Sequence, residues 1–471
     1  MSAFRYQALE VLLRQQIQAG RYQVGEKLPS VRTLCQQHTL SKATVVHALH
    51  KLEADQLVYA VPKSGYFVAE GMSYTDLPRK VSTPSVPAPV NVPDIFRDIM
   101  SRSAAFDILP SDGSTPVSQH LITLNRMIAK SSRTHPEQKA YYYDEPKGYA
   151  GLRQAIVDLY RQRNTPMNAE DLCITSGCQH ALFLALMASC QAGDTVAIES
   201  PAFYGVLQQL EQLGLNVIEI PSDSNTGLDI AELEAKIQHW PIKACIVTPN
   251  FHTPTGSKMP VANMKALLML ANQHDFYIIE DDIYGELGFQ NGPCPAIKSE
   301  CTQGRVILCG SFSKCLSREL RMGWIAGGRL HAKIVQLKLI TQLASPQAIQ
   351  QGLAAFIHQG HFKRHANQYR QQLKEQSDQL LTELKRGWGQ AIKFSRPQGG
   401  LSCWVELPEH IDTQKSYPSL LEKGVVLTPG ALFSAHGLYR NHMRLSFSQP
   451  LTEGRRSALQ LLFHTLLKDE P

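Results

Sequence analysis

The sequence predicts an α/β chain in two parts: a small helical module closed by a β-hairpin, then a large domain on a mostly parallel sheet. Three observations carry this expectation. The chain has 471 residues, more than one hydrophobic core ordinarily serves. Short apolar runs alternate with segments of 3.6-residue period through most of it. A proline-rich stretch, Ser73–Pro93, interrupts both patterns. The expected boundaries are therefore a module over 1–70, a linker over 71–93 and a large domain over 94–471.

Composition narrows the class. Hydrophobic residues make up 43% and charged residues 19%, the balance of a soluble globular protein. The net charge is +6, and residues 1–80 carry ten Lys/Arg against six Asp/Glu. The excess thus gathers in the small module, a mild sign of a polyanionic partner. Ten cysteines are scattered, with no CxxC pair and no Cys/His cluster at zinc-ligand spacing. Buried reduced thiols in a cytoplasmic protein are expected, with no metal site. The longest apolar run, Ala181–Ala188, is far below the roughly 20 residues of a membrane span. No apolar leader follows Met1, so neither secretion nor a membrane partner is expected.

In the small module, Tyr6, Leu9, Leu13 and Ile17 recur at helical spacing and predict a first amphipathic helix. Ser30 is placed to cap a second helix, with Val31, Leu34 and Cys35 inward. After a turn at His38–Leu40, Ser41 caps a third, whose buried stripe is Val45, Ala48, Leu49 and Leu52. Lys42, Thr44, His47 and Lys51 are left outside. The phrase LVYAVPKSGYFV alternates around Pro62–Gly65 and reads as a hairpin. Three helices and a wing, with a basic outer face on the third helix, form a winged helix-turn-helix. A bare three-helix packing module with solvated lysines has the same pattern.

The prolines at 78, 84, 87, 89 and 93 remove backbone donors and favour extended chain. Extended at roughly 3.1 Å per residue, such a linker spans on the order of 65 Å. Beyond it, Thr195–Glu199, Ala244–Thr248, Tyr277–Asp281 and Val306–Gly310 read as short strands, and Ala262–His274 as a helix. Functional loops are then expected at the carboxyl ends of those strands.

Four phrases there carry chemistry. TSGCQHAL, at Thr175–Leu182, joins a strand to a helix, where the N–H groups of Gly177, Cys178 and Gln179 would hold a phosphate. PAFYG, at Pro201–Gly205, puts Phe203 where it would stack on a flat ring, although alone it reads more readily as a core aromatic. IIEDDIYGEL ends an apolar strand in acids, with Tyr284 three past Asp281. A carboxylate there can be held beside a protonated ring nitrogen, or it can belong to a solvated acidic loop. GSFSK, at Gly310–Lys314, sets one lysine among hydroxyls, with Arg321 seven residues on. That set suits a phosphate monoester beside a carbonyl forming a Schiff base with Lys314.

The module, through LPSVRTL and the spaced SKATV–AL–KLEADQLV, resembles the DNA-binding domain of GntR-type regulators. The resemblance implies phosphate or base contacts from Arg32, Ser41, Lys42, Thr44 and His47, with Lys63 and Gly65 of the wing at the minor groove. Lys42 stands where the family usually has Arg, and it lacks the planar fork. The large domain resembles the fold-type I, aspartate-aminotransferase-like pyridoxal-phosphate enzymes. Together the two are similar to the MocR subfamily of GntR-type regulators. The resemblance implies pyridoxal 5'-phosphate as cofactor, covalently held by Lys314. It sets Asp281 at the ring nitrogen, Tyr284 at the ring hydroxyl and Phe203 against the ring. Gly177, Cys178, Gln179, Ser311, Ser313 and Arg321 surround the phosphate, and Tyr143 reaches it from the other subunit of a homodimer. Arg444, in MRLSF, matches the arginine that grips a substrate α-carboxylate.

Two departures pull in opposite directions. FHTPTG places Thr253 where such enzymes usually carry Asn, which leaves Asn250 or His252 as substitutes. The acidic phrase keeps the enzyme-like spacing DDIY rather than DDY. The resemblance thus implies a transcriptional regulator that binds an operator and senses the cofactor or an amino compound through Lys314. An active aminotransferase with a secondary DNA-binding module, or a sensor of free cofactor, is the alternative. Whether it is an enzyme stays open at this level.

Overall fold

A computed structural model describes residues 9–468, except 11, 14–15, 18–20, 24, 55–56, 62–63, 69–76, 91–106, 110–117, 135–142 and 290–291. Tyr6 and Lys63, both singled out from the sequence, lie outside the described residues. The chain divides into two compact units, Met1–Leu77 and Pro78–Pro471.

In the first unit, helical residues at 9–10, 12–13 and 16–17 precede helices Val31–His38 and Lys42–Ala54. Ser30 caps the first of these by accepting from the N–H of Thr33, and Ser41 caps the second by accepting from that of Thr44 at 3.2 Å. Helix Val31–His38 ends at Thr39 in the left-handed region, φ 53°. Val45, Ala48, Leu49 and Leu52 are fully buried, against Leu9, Leu13 and Leu34. The hairpin pairs β1 (Val58–Val61) with β2 (Gly65–Val68), Val61 opposite Gly65. Gly65 has φ 122°, a conformation L side chains rarely adopt. Arg32, Ser41, Lys42 and His47 are exposed and Thr44 is half-buried. This is the winged helix-turn-helix read from the sequence.

The second unit is built on one large sheet. Its strands are β3 (Ala88–Pro89), β4 (Leu172–Thr175), β5 (Thr195–Ser200), β6 (Asn216–Asp223), β7 (Gly227–Leu228), β8 (Ile242–Val247), β9 (Tyr277–Asp281), β10 (Val306–Ser311) and β11 (Gly323–Ala326). The spatial order is β3-β6-β5-β8-β9-β10-β11-β4, with β7 on β6. The five central strands run parallel, and β3, β7 and β11 run against their neighbours. Alternate residues feed opposite faces, as a two-sided sheet demands. Val196, Ile198, Ile279 and Ile307 join the core around helix Cys178–Ser189. Ala197, Ile278 and Val306 join the core around helix Val261–Gln273. A second sheet, of order β12-β13-β15-β14, pairs β12 (Lys393–Phe394), β13 (Ser402–Glu406), β14 (Thr428–Pro429) and β15 (His442–Ser446) antiparallel. Helix His361–Trp388 and its neighbours cover it.

Of the proline-rich stretch, residues 77–90 are described; they contain no helix, and from Pro78 on they belong to the second unit. Ala88–Pro89 pair with Val217 and Asn216 at the sheet edge, a position where a proline loses no ladder bond. Lys80 forms an ion pair with Asp229, and Trp240 Nε1 donates to the carbonyl of Ser85 at 2.9 Å. Residues 78–90 are thus laid against the large unit rather than spanning free. No helix among the described residues is long and apolar enough to cross a membrane.

Leu49→Ala should cost the first unit about 2–5 kcal/mol through the cavity it leaves. Calorimetry of the full chain should show the module's transition fall while the large unit's stays in place. A single transition lowered as a whole would contradict two independently cored units.

Candidate functional site

The carboxyl ends of β4, β5, β8, β9 and β10 carry the residues picked out above. The end of β9 sets the geometry. Glu280, Asp281 and Asp282 are consecutive and all buried, and alternation sends them to different faces. Glu280 accepts the N–H groups of Ile297 and Lys298, at 2.7 and 3.0 Å. Asp282 is held by Arg163, at 2.7 Å, and by the hydroxyl of Tyr160, at 2.8 Å. Asp281 alone points toward helix Cys178–Ser189, where the Cys178 thiol donates to its Oδ1 at 3.1 Å. Burial, reinforced by Asp282, pushes the Asp281 carboxyl up to about 6, against the pull of that thiol and of Lys314.

Lys314 follows the end of β10. Desolvation holds its amine well below the usual lysine range, and the charges of Arg318 and Arg444 push it further down. Asp281 opposes this from within the same site. The site therefore gathers Lys314, Arg318, Arg321 and Arg444 around one buried carboxylate, and such an excess favours anionic guests.

The end of the site at helix Cys178–Ser189 is built from glycine and hydroxyls. Gly177 has φ 87° and starts helix Cys178–Ser189 with no side-chain cap and no acid in the first turn. Its orphan N–H groups make a positive end. A Cβ on Gly177 would lie 2.8 Å from Arg321 Nη2, so the guanidinium closes over the glycine. Arg321 also donates to the carbonyl of Ser176 at 3.1 Å. Gly323 pairs with both Thr175 and Ser311, which brings the β10 hydroxyls alongside. Ser311 Oγ lies 2.9 Å from Ser313 Oγ.

On the other flank, Phe203 is half-buried with its ring 4.7 Å from that of Tyr204. The side chain of Gln179 is engaged by Gln209. Arg444, on β15, is 2% exposed and lies over the rings of Tyr204 and Phe433, at 5.6 and 5.5 Å. Its charge lowers the Tyr284 hydroxyl, although burial wins and raises it overall.

Not every expected residue converges. The Asn250 amide donates to the carbonyl of Pro295 at 3.0 Å and lies 3.5 Å from Asp282, on the far face from Asp281. His252 is buried between Thr255 and Glu199, where burial pushes it down to about 3. The group that meets Tyr284 is Thr253 itself, whose hydroxyl donates to the Tyr284 oxygen at 2.9 Å. Thr253, which stands where an Asn was expected, is thus bonded to Tyr284, while Asn250 and His252, named as its substitutes, are engaged elsewhere. Tyr143 is 80% exposed in the single chain. Sequence reasoning missed Arg318, Tyr204 and Phe433, and it missed the Cys178 side chain, having used only its N–H. No local signal marks them, because each acts through a neighbour distant in sequence.

A family model described as aminotransferase class I and II matches residues 111–460, and one described as bacterial regulatory proteins, gntR family, matches residues 5–68. The HTH-type transcriptional regulator YjiR of Escherichia coli K12 is 38% identical, covering 97% of each chain. YdcR of the same organism is 31% identical, over 97% of this chain and 98% of that one. Among solved structures, kynurenine aminotransferase of Pyrococcus horikoshii matches with a TM-score of 0.73 and 28% identity, over 81% of this chain and 96% of that one. A winged helix-turn-helix and a fold-type I aminotransferase domain on one chain define a class of two-part regulator. The chain belongs to the MocR architecture of gntR-type transcriptional regulators.

Asp281 yields a pH test. Its folded pKa, about 6, lies above the ordinary value near 4, so the folded chain keeps the proton longer. The stability this group contributes is full below pH 4, falls between pH 4 and 6, and is constant above. Asp281→Asn should gain about 3 kcal/mol over the parent at pH 7 and nothing at pH 4, in urea unfolding of the cofactor-free chain. Parallel pH profiles would show that another group titrates.

Proposed function

We propose that this chain is a pyridoxal 5'-phosphate-dependent, DNA-binding transcriptional regulator whose large domain senses the cofactor and an amino-compound ligand. The observation that carries it is the opposition of Lys314 and Asp281 in a buried, cation-rich site, on a chain that also bears an exposed basic recognition helix. The donor set fits the cofactor. Gly177 leaves the cradle that a Cβ would fill, and Arg321, Ser311, Ser313 and the helix start around Cys178 and Gln179 suit a phosphate dianion.

When bound, the group supplies a carbonyl for an amine and an electron-withdrawing ring. Asp281 would hold a proton on the ring nitrogen, with Cys178 fixing the carboxylate. Tyr284, bonded to Thr253, would meet the ring hydroxyl, and Phe203 would exclude water from one face. Lys314, whose amine desolvation and the neighbouring cations hold below the usual lysine range, would serve as the nucleophile. Arg444 would take a ligand carboxylate. The exposure of Tyr143 supports a role met only across a two-fold dimer. Such a dimer would present two winged helices to a two-part operator in the cytoplasm. Arg32, Ser41, Lys42, Thr44 and His47, with Lys63 and Gly65 of the wing, would contact it.

The second reading, a working aminotransferase, is favoured by the intact Asp281–Tyr284 spacing and by the Thr253 hydroxyl at Tyr284. The chain loaded with pyridoxal 5'-phosphate should absorb in the visible, and borohydride should fix the group at Lys314. A borohydride-fixed group in Lys314→Ala would overturn the assignment. In the same sample, repeated turnover of an amino acid with a keto acid would identify the enzyme, and a spectral change without turnover the sensor.

DNA binding has its own test. Arg32→Ala and Lys42→Ala should each weaken operator binding by about tenfold and reduce its salt slope, leaving cofactor absorbance unchanged. Unaltered affinity in both variants would sink the recognition-helix reading.

A further inference from the structure

Glu219 lies in the middle of β6 and is fully buried. Its main chain and its side chain hold different parts of the molecule. The main-chain carbonyl accepts from Thr83 Oγ1 and from Lys236 Nζ, both at 2.8 Å. Lys236 donates further to Thr83 Oγ1 at 2.8 Å and to the carbonyl of Pro84 at 3.0 Å. These bonds, with β3 on the same strand, fasten the connector that leads back toward the winged helix-turn-helix. The carboxylate faces another segment. It accepts from the N–H of Ala435 at 2.6 Å, from Ser434 Oγ at 3.1 Å and from Ser200 Oγ at 3.0 Å. His436 Nδ1 stands 3.6 Å away, and this neighbour raises the imidazole above its ordinary value.

The segment so held begins beside Arg444. Phe433, whose ring lies under Arg444, directly precedes Ser434. Its carbonyl accepts from the N–H of Ala202 at 2.7 Å, next to Phe203. One buried residue thus ties the loop beside Arg444 to the connector.

We propose that Glu219 is a joint: loop 433–436, beside the Arg444 ligand site, and connector 78–90 loosen and tighten together through it. The regulatory meaning rests on the reading of Arg444 as the grip for a ligand carboxylate. A carboxylate on Arg444 competes with the rings of Tyr204 and Phe433 for the guanidinium, and any shift of Phe433 is passed to Ser434 and Ala435 by the chain itself. Donors withdrawn from Glu219 leave a buried charge unpaired, which a dry interior penalises heavily. The strand must then re-pair there, at the residue whose carbonyl anchors Thr83 and Lys236. A ligand biases this joint only so far as it binds one arrangement better than the other, and the coupling is reciprocal.

Hydrogen–deuterium exchange of the full chain, with no cofactor or ligand added, tests it. Ser434→Ala should speed exchange of the distant connector, residues 80–90, and Thr83→Val should speed exchange of residues 430–437, each by roughly tenfold for one lost bond of this kind. Glu219→Gln keeps the shape, removes the charge and should loosen both segments. If Ser434→Ala and Thr83→Val each loosen only their own segment, the joint does not exist. The Ser434→Ala and Thr83→Val pair decides even if Glu219→Gln does not fold. Because nothing is bound in this experiment, its failure is separate from failure of the cofactor reading, which borohydride trapping at Lys314 reports.

Discussion

A buried carboxylate with only one face to go to is the constraint on which the site depends. Two acids end β9 and Asp282 follows directly, and the period of two sends Glu280 and Asp282 to one side and Asp281 to the other. The first pair is engaged by the structure: two backbone N–H groups meet Glu280, whose carboxyl burial nonetheless pushes up to about 8, and Arg163 with Tyr160 meets Asp282. Removing Arg163 would strand a buried charge, a loss of about 3–5 kcal/mol. Asp281 receives a thiol from Cys178 and the backbone N–H of Ile283, feels the charge of Lys314, and is still pushed up to about 6 by burial. A group left in that state beside a desolvated lysine marks a site built for a charged guest.

The rest of the large unit serves that arrangement. A sheet buried on both faces places the strand ends together, and the helix after β4 starts beside Asp281 because both belong to the face that Ile279 and Ile307 define. Gly177 and Gly323 let two backbones and the Arg321 guanidinium approach within a distance no Cβ would permit. The antiparallel second sheet carries Arg444 inward on β15, paired opposite Trp404 and Thr428. Cations thus arrive from β10, from the turn before β11 and from β15, and they converge only on folding.

Much of this was legible in the chain. The four strands read from apolar runs are β5, β8, β9 and β10, with ends shifted by at most two residues. The caps Ser30 and Ser41, and the stripe Val45, Ala48, Leu49 and Leu52, stand as the periodicity requires. Local chemistry sufficed there, because a cap or a stripe involves residues three or four apart. The connector was legible as extended chain but not as docked chain. Its anchors, Asp229, Lys236 and Trp240, lie some 150 residues downstream.

By itself, the sequence determined the two-part architecture, the mostly parallel sheet and the basic exposed face of the third helix. Each follows from period, composition or a short phrase, all of them local properties of a chain, whereas the roles of Lys314, Asp281 and Arg444 were assigned through a family resemblance. Tertiary structure alone decided where side chains point at the strand ends. It turned Asn250 and His252 away, brought the Thr253 hydroxyl to Tyr284, and spent the Cys178 thiol on Asp281. It also joined the connector to the loop beside Arg444 through Glu219. The reason is physical: a hydrogen bond of about 3 Å depends on strand register and loop path, which only the packed core fixes.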